Sequence, residues 1–323
     1  MGVDALTLNL QVIPLDVYVL ALAVLVDLLG RELPARAHPT VWIGYTVRRM
    51  ERVGPRSRTA GLIFGALMTL AIPGFWALAA WAAAVGLQSI HPVVYLVVGA
   101  LLLKSTFALK MLHQVAAGTM MLATSGDLAA LRENMRSLVS RDVSSMTPSQ
   151  AIAATVESVS ENTTDSFVAP WLAFALFGLP GAFAYRAINT LDSMIGYRGE
   201  YEYLGKVAAR MDDLVNLVPA RLTGVMVALG SSVLPGQRPG QAWRIMWRDH
   251  ARTASPNAGW TMSGMAGALG VELEKEGHYR LGDATRPLEP ADIARSVSSM
   301  YLVAGLGLLV AVAVIFLRAA LVG

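Results

Sequence analysis

Three carboxylates spaced four apart, Glu157, Glu161 and Asp165, lie in the stretch TPSQAIAATVESVSENTTDSF at residues 147–167. Positions four apart share nearly one face of an α-helix, so the three form an acidic stripe. Stacked like charges cost on the order of a few tenths of a kcal/mol per pair unless a metal or an arginine lies against them. The residues flanking them are Ala, Val, Ser and Thr rather than Lys and Glu. That is unlike a solubilising surface, although a solvated helix face is the plain alternative. The helix start is well specified: Thr147 caps it, Pro148 suits its first position, and Gln150 completes a capping box.

A second polar stretch, RAINTLDSMIGYRGEYEYLGKVAARMDDLVNLVPAR, occupies residues 186–221. Asn189 and Asp192 are three apart and share a helix face; Asp212 and Asp213 follow, with Lys206, Arg210 and Arg221 interspersed. Carboxylates with basic groups nearby are what a magnesium–polyphosphate site requires, because the metal takes oxygen ligands while Arg or Lys neutralises the remaining phosphate charge. Structural ion pairs are the alternative. GEYEYLGKV is not a phosphate-binding P-loop: it has one residue too many between its glycines, and Val207 stands where Ser or Thr should follow Lys206. The five histidines show no zinc-protease spacing. A third stretch, residues 248–282, runs from polar to Gly-rich. Ser255, Pro256 and Asn257 should break a helix after Arg252 and can offer donors to an anion, and a hairpin should turn at Glu276 and Gly277.

The elements that position these groups are set by the bilayer. Of 323 residues, 54% are hydrophobic and 15% charged, against about 25% charged in soluble domains, and mean hydropathy is +0.50. With no Cys, disulfides, thiolate catalysis and iron–sulfur clusters are excluded. The net charge of +3 comes mostly from Arg beside apolar runs, which reads as topology and not as nucleic-acid binding. No cleavable leader is expected, because the first apolar run reads as a retained span. Residues 12–29, 60–86, 93–113 and 300–321 each approach the roughly 20 residues that a crossing needs. Two more runs, 167–185 and 214–234, are interrupted by Pro170, Gly178, Pro180 and Gly181 and by Pro219 and Arg221.

Residues 31–59 carry seven arginines and the 87–92 loop no Lys, Arg, Asp or Glu, so the former faces the cytoplasm. Six full crossings would put Arg186, Arg198, Lys206 and Arg210 outside. The expected fold is therefore an all-α polytopic membrane protein with four full transmembrane helices plus two broken or re-entrant segments, with six crossings as the alternative. It forms a single integral-membrane domain over residues 1–323. Cytoplasmic-facing segments 31–59, 114–165, 186–213 and 235–299 form its active-site side. Lys104, deep in its span, should face the interior and pair with a carboxylate or bound anion, with a side chain tilting to the cytosolic interface alongside Lys110 as the alternative.

Five segments, in order along nearly the whole chain, carry a resemblance: HPTVWIGYTVRRMER (38–52), ESVSENTTDSFVAP (157–170), NTLDSMIGYR (189–198), DDLVNLVPARLTG (212–224) and SPNAGWTMSGMAGALGVELE (255–274). Together they resemble the adenosylcobinamide-phosphate synthase family of cobalamin biosynthesis. The resemblance implies ATP-dependent amide-bond formation joining adenosylcobyric acid to aminopropanol phosphate, or a related amino-alcohol phosphate, at the cell (inner) membrane with the active site toward the cytoplasm. That ligase chemistry calls for Mg2+, with ATP as co-substrate and a corrinoid as substrate. It leaves room for association with other corrinoid-pathway enzymes. The corrinoid is expected to be held through its peripheral amides, since the cobalt-ligating Asp-x-His-x-x-Gly signature is absent.

On that basis Glu157, Glu161, Asp165, Asp192 and Asp213 are expected to hold metal and phosphates. Glu157, Glu161, Asp165, Asn189, Asp192 and Lys206 form the catalytic group. Arg141, Asn162, Arg210, Arg221, Arg252, Ser255 and Asn257 are expected to bind substrate. Two rival readings stand beside this one. A transporter would also use intramembrane charges such as Asp27 and Lys104 and broken helices, but should show inverted repeats, and none is evident. A non-catalytic membrane sensor of the same family should have lost the acidic residues, which this chain keeps.

Overall fold

A computed structural model describes residues 13–30, 32–136 and 143–322; Arg31 and Arg141 lie outside the described residues. Four helical stretches are long and apolar enough to cross a membrane: Arg58–Ile90, Pro92–Ser125, Pro148–Ile195 and Pro290–Leu321. The first is one helix, α3, preceded by α1 (Leu15–Leu29) and α2 (Pro39–Val53). At a rise of about 1.5 Å per residue, α3 is about 50 Å long, more than a bilayer core needs. The second stretch is α4 (Pro92–Lys104) and α5 (Leu109–Ser125), joined across a short break, and α6 (Leu128–Met135) follows. The fourth is α13 (Pro290–Val322). The spans expected at 60–86, 93–113 and 300–321 fall within these. The one expected at 12–29 corresponds to α1, whose 15 residues pack along α4.

The third stretch is not one straight rod. Its first part, α7 (Pro148–Thr163), begins with the Thr147–Gln150 capping box. It passes through a π-helical turn at Thr164–Val168 into α8 (Ala169–Ile195). Inside α8, Gly178 adopts φ 67° and ψ −157°, a conformation open to glycine alone, and Pro180 cannot continue the hydrogen-bond ladder. There the chain doubles back. The Ser166 carbonyl accepts from the Ala108 N–H at 3.0 Å, and Arg186 Nε donates to the Thr106 carbonyl at 2.6 Å, so residues twenty apart along the helix meet the same short bend. A straight helix would separate them by about 30 Å.

The expected break at 167–185 is therefore a helical hairpin, with its tip at Gly178 and both feet at one end of the molecule. Arg318 on α13 braces the tip by donating to the Phe174 carbonyl at 3.2 Å. It also pairs with Asp16, whose other oxygen accepts from Tyr95 Oη at 2.7 Å. Carbonyls loosened by a helix break at membrane depth need such a donor.

At the opposite end of α1 and α4, Lys104 lies only 2% exposed, with its ammonium 3.2 Å from Asp27 and 2.6 Å from Glu32. The interior pairing expected for it is present. The remaining helices pack at the hairpin's feet: α9 (Lys206–Val215) and α10 (Leu217–Gly230), bent by 49° to each other, then α11 (Pro239–Asp249) and α12 (Ala258–Leu269). The break expected in 214–234 lies at its start, at Asn216. Strands β1 (Glu272–Lys275) and β2 (Tyr279–Gly282) form the expected antiparallel hairpin, with Gly277 at φ 73° in its turn. Arg248 ties α11 to that hairpin, holding both carboxylate oxygens of Asp249 at 2.7 Å and Asp283 at 2.7 Å.

Candidate functional site

The two feet of the α7–α8 hairpin and the bent α9–α10 pair enclose a cavity of about 500 Å³. Six carboxylates line it: Glu161 on α7, Asp165 in the π-turn, Asp192 near the end of α8, Glu202 in the loop that follows, and Asp212 and Asp213 on α9. Facing them are Arg198, Lys206 and Arg210. Ser255 and Asn257, at the start of α12, complete the wall. The reversal at Gly178 is what makes this possible, since Asp165 and Asp192 would lie about 40 Å apart on a continuous helix.

The carboxylates are held differently. Asp212 is oriented by two amides, accepting from Asn189 Nδ2 at 3.4 Å and Asn216 Nδ2 at 3.0 Å, and Tyr185 Oη fixes Asn216 at 2.9 Å. Asn189 in turn accepts from Arg186 Nη1 at 3.1 Å. Asp213 accepts from Ser255 Oγ at 3.5 Å and sits 3.8 Å from Arg210, while Asn257 Nδ2 donates to its backbone carbonyl at 2.7 Å. Lys206 lies 3.7 Å from Glu202, an exposed and loose pairing that leaves the ammonium available to a phosphate.

Most of the expected site residues converge here. Glu161, Asp165, Asp192, Asp213, Lys206, Arg210, Ser255 and Asn257 line the cavity. Asn189 stands one layer behind, as does Arg221, which donates to Asn257 Oδ1 at 3.2 Å and lies 5.1 Å from the Trp260 ring centre. Three other expected residues lie away from the site. Glu157 is buried at 7% exposure in the helix packing, because each step of four overshoots a turn by about 40° and carries it about 80° around from Asp165. Asn162 turns back on its own helix, donating to the Ser158 carbonyl at 3.0 Å and accepting from Ser166 Oγ at 3.1 Å. Arg252 faces Asp249 at 3.2 Å and the Arg280 carbonyl at 3.3 Å.

Asp212, Arg198 and Arg186 carry more of the site than the sequence reading assigned them. Asp212 was legible as half of an Asp–Asp pair. Arg186 and Arg198 read only as loop charge, because their role depends on the hairpin's return.

Among the described residues no three His, Cys, Asp or Glu side chains already converge as a metal cage. The donors present are all hard oxygens. That suits magnesium, which keeps several waters and takes one or two carboxylates together with substrate phosphates instead of a full protein shell. The cavity residues fit such an ion.

The description CobD/Cbib protein matches residues 20–300, a range that includes every residue of the cavity wall. This chain belongs to that family. Relatives agree over nearly full length. A cobalamin biosynthesis protein CobD of Dehalococcoides mccartyi (strain CBDB1) is 42% identical, covering 91% of this chain and 96% of its own. A probable cobalamin biosynthesis protein CobD of Methanothermobacter thermautotrophicus is 40% identical over 83% of this chain and 87% of its own. The cobalamin biosynthesis protein CobD of Klebsiella pneumoniae is 36% identical over 88% and 92%. No solved structure matches.

Proposed function

We propose that the protein acts in cobalamin biosynthesis as an ATP-dependent amide ligase, joining adenosylcobyric acid to an amino-alcohol phosphate to give adenosylcobinamide phosphate. One observation carries the reading beyond the relatives' names. Carboxylates from both feet of the hairpin face Arg198, Lys206 and Arg210 across a single cavity, the arrangement that a phosphoryl-transfer site needs.

A free carboxylate does not react usefully with an amine. Transfer of the γ-phosphoryl group of ATP to a propionate oxygen gives an acyl phosphate and ADP. The amine then attacks the acyl carbon, the amide C–N bond forms and inorganic phosphate leaves. Lys206, Arg210 and Arg198 hold the phosphates and neutralise the charge on the transferring group. Asp212, fixed by Asn189 and Asn216, is placed to take the proton that the amine loses. Ser255 and Asn257 orient substrate. Glu161, Asp165, Asp192 and Asp213 are the groups that would hold magnesium, which when bound supplies charge neutralisation on the polyphosphate.

The test is turnover by the purified protein in lipid nanodiscs with cobyric acid, ATP and the phosphates of aminopropanol, ethanolamine and threonine in competition. Mass spectrometry should show one amide product, formed with one ADP and one phosphate each. No amide from any of the three amines would reject the ligase reading.

A further inference from the structure

A second cavity, of about 820 Å³, lies beside the start of α7. Its wall joins the start of α7, at Ser149, Gln150 and Ala153, to the β1–β2 hairpin and to the loop ending at Leu288. It differs in character from the first. Where six carboxylates crowd the first, this one sets Glu272, Glu274 and Glu276 against three cations, beside hydroxyl, amide and imidazole groups and Met146, Pro287 and Leu288.

Three of its residues carry full positive charge, and two of these are already matched. Arg280 Nε donates to Glu274 at 2.7 Å, and Arg286 is paired with the wholly buried Asp292. Lys275 makes no ion pair or side-chain hydrogen bond among the described residues. It occupies the last position of β1, half-buried, and is close enough to interact electrostatically with Glu161 on the wall of the first cavity. Ala153 and Glu161 are eight residues apart on the same helix, about 12 Å along its axis. Lys275 thus stands at the junction of the two cavities.

We infer that the second cavity takes the bulk of the acyl substrate and that Lys275 binds its free carboxylate, presenting it to the phosphates held in the first. This rests on the ligase reading above, and three arguments carry it. The larger cavity has the size, and a wall of hydroxyl, charged and apolar groups able to hydrogen-bond and pack at once, suited to a broad, amide-fringed ring. A further carboxylate brought into the first cavity would meet six others and only cations already facing them, whereas at Lys275 it meets an ammonium that forms no ion pair among the described residues. The acyl oxygen must lie within about 3.5 Å of the transferring phosphorus, so the carboxylate has to sit at a junction and not deep in either cavity.

The experiment measures binding and not turnover. Equilibrium binding of cobyric acid, and of the same corrinoid with its free propionate converted to the primary amide, is followed by quenching of intrinsic tryptophan fluorescence in nanodiscs. Wild type is compared with Lys275→Gln, Lys275→Arg and Ser149→Trp, and magnesium–ATP binding is measured in parallel. Lys275 and Ser149 lie at a strand end and on an exposed helix start, so these variants should fold. Lys275→Gln should weaken cobyric acid at least tenfold, with partial recovery in Lys275→Arg, and leave the amide form unchanged. Ser149→Trp should weaken both corrinoids, and all four proteins should bind magnesium–ATP alike. Equal cobyric acid affinity in wild type and Lys275→Gln would overturn the role of Lys275. Unchanged corrinoid binding in Ser149→Trp would overturn the placement in the second cavity. A wild-type protein that binds neither corrinoid would reject the ligase reading itself.

Discussion

Of the three carboxylates in the acidic stripe, Glu161 and Asp165 face the cavity and Glu157 does not. The spacing alone could not separate them, because the drift of about 40° per step and the turn at Thr164–Val168 decide which side chains meet the returning helix. The separation has a measurable consequence. Glu161→Gln and Asp165→Asn keep size and helix but remove ligand charge, so turnover should fall by about two orders of magnitude or more, with melting temperature in detergent unchanged or raised. Glu157→Gln should instead shift melting temperature more than turnover. Near-normal turnover in both cavity variants would end the phosphate-site reading. Lys104 was legible at this scale, since an intramembrane lysine has to find a partner, but its partners were not, lying some seventy residues away. Lys104→Met strands a buried Asp27 and should cost about 3–5 kcal/mol. Adding Asp27→Asn should recover much of that loss, and a double-mutant cycle showing no coupling would contradict the buried pair.

Among the elements, the Gly178–Pro180–Gly181 interruption was legible as a break, but a break can kink a helix or reverse it. Arg318 and the bend at residues 105–108 decide for reversal, and neither is local in sequence. The same holds for α9, which brings Lys206, Arg210, Asp212 and Asp213 to the cavity only because Gly205 allows its first turn against the end of α8. A Cβ on Gly205 would lie 1.6 Å from the Ile195 carbonyl oxygen. Gly205→Ala should therefore displace α9, lowering turnover at least tenfold and stability by about 1–3 kcal/mol; an alanine variant as active and stable as wild type would contradict this packing. The contact between α11 and the β-hairpin carries a pH dependence. Burial pushes the Asp249 carboxyl up, but the hydrogen bonds from Arg248 and the Gly282 N–H, with Arg248 and Arg252 charge, outweigh it and hold the group below its usual value. Its stabilising effect is then full above the unfolded value of about 3.9 and is lost as pH falls through the lower folded value. Amide protection factors at residues 272–282, taken against the intrinsic exchange rate at each pH, should fall on acidification below about pH 4, and Asp249→Asn should show lower protection at pH 7 with little further change in acid.

For the whole molecule, arginine distribution and hairpin geometry give the same answer by independent routes. By the positive-inside rule, the seven arginines of residues 31–59 predict that one side faces the cytoplasm. The Lys104 cluster ties the end of α1 to the end of α4, and Arg186 ties the next residues, at Thr106, to the returning foot of the α7–α8 hairpin. Asp292, at the start of α13, pairs with Arg286 on the loop that lines the second cavity. All these polar ends, and both cavities, therefore belong to the arginine-rich side. Because the chain contains no Cys, single cysteines can read this cleanly at Ser125, Ser193 and Thr285, all exposed. An impermeant maleimide should label none of them in intact cells and all three in inverted vesicles. The Ser193 site is decisive: it lies on the last turn of α8, at the returning foot, so labelling there from outside would require the hairpin to deliver its second foot to the opposite face. Asp165 and Asp192 could not then share one cavity.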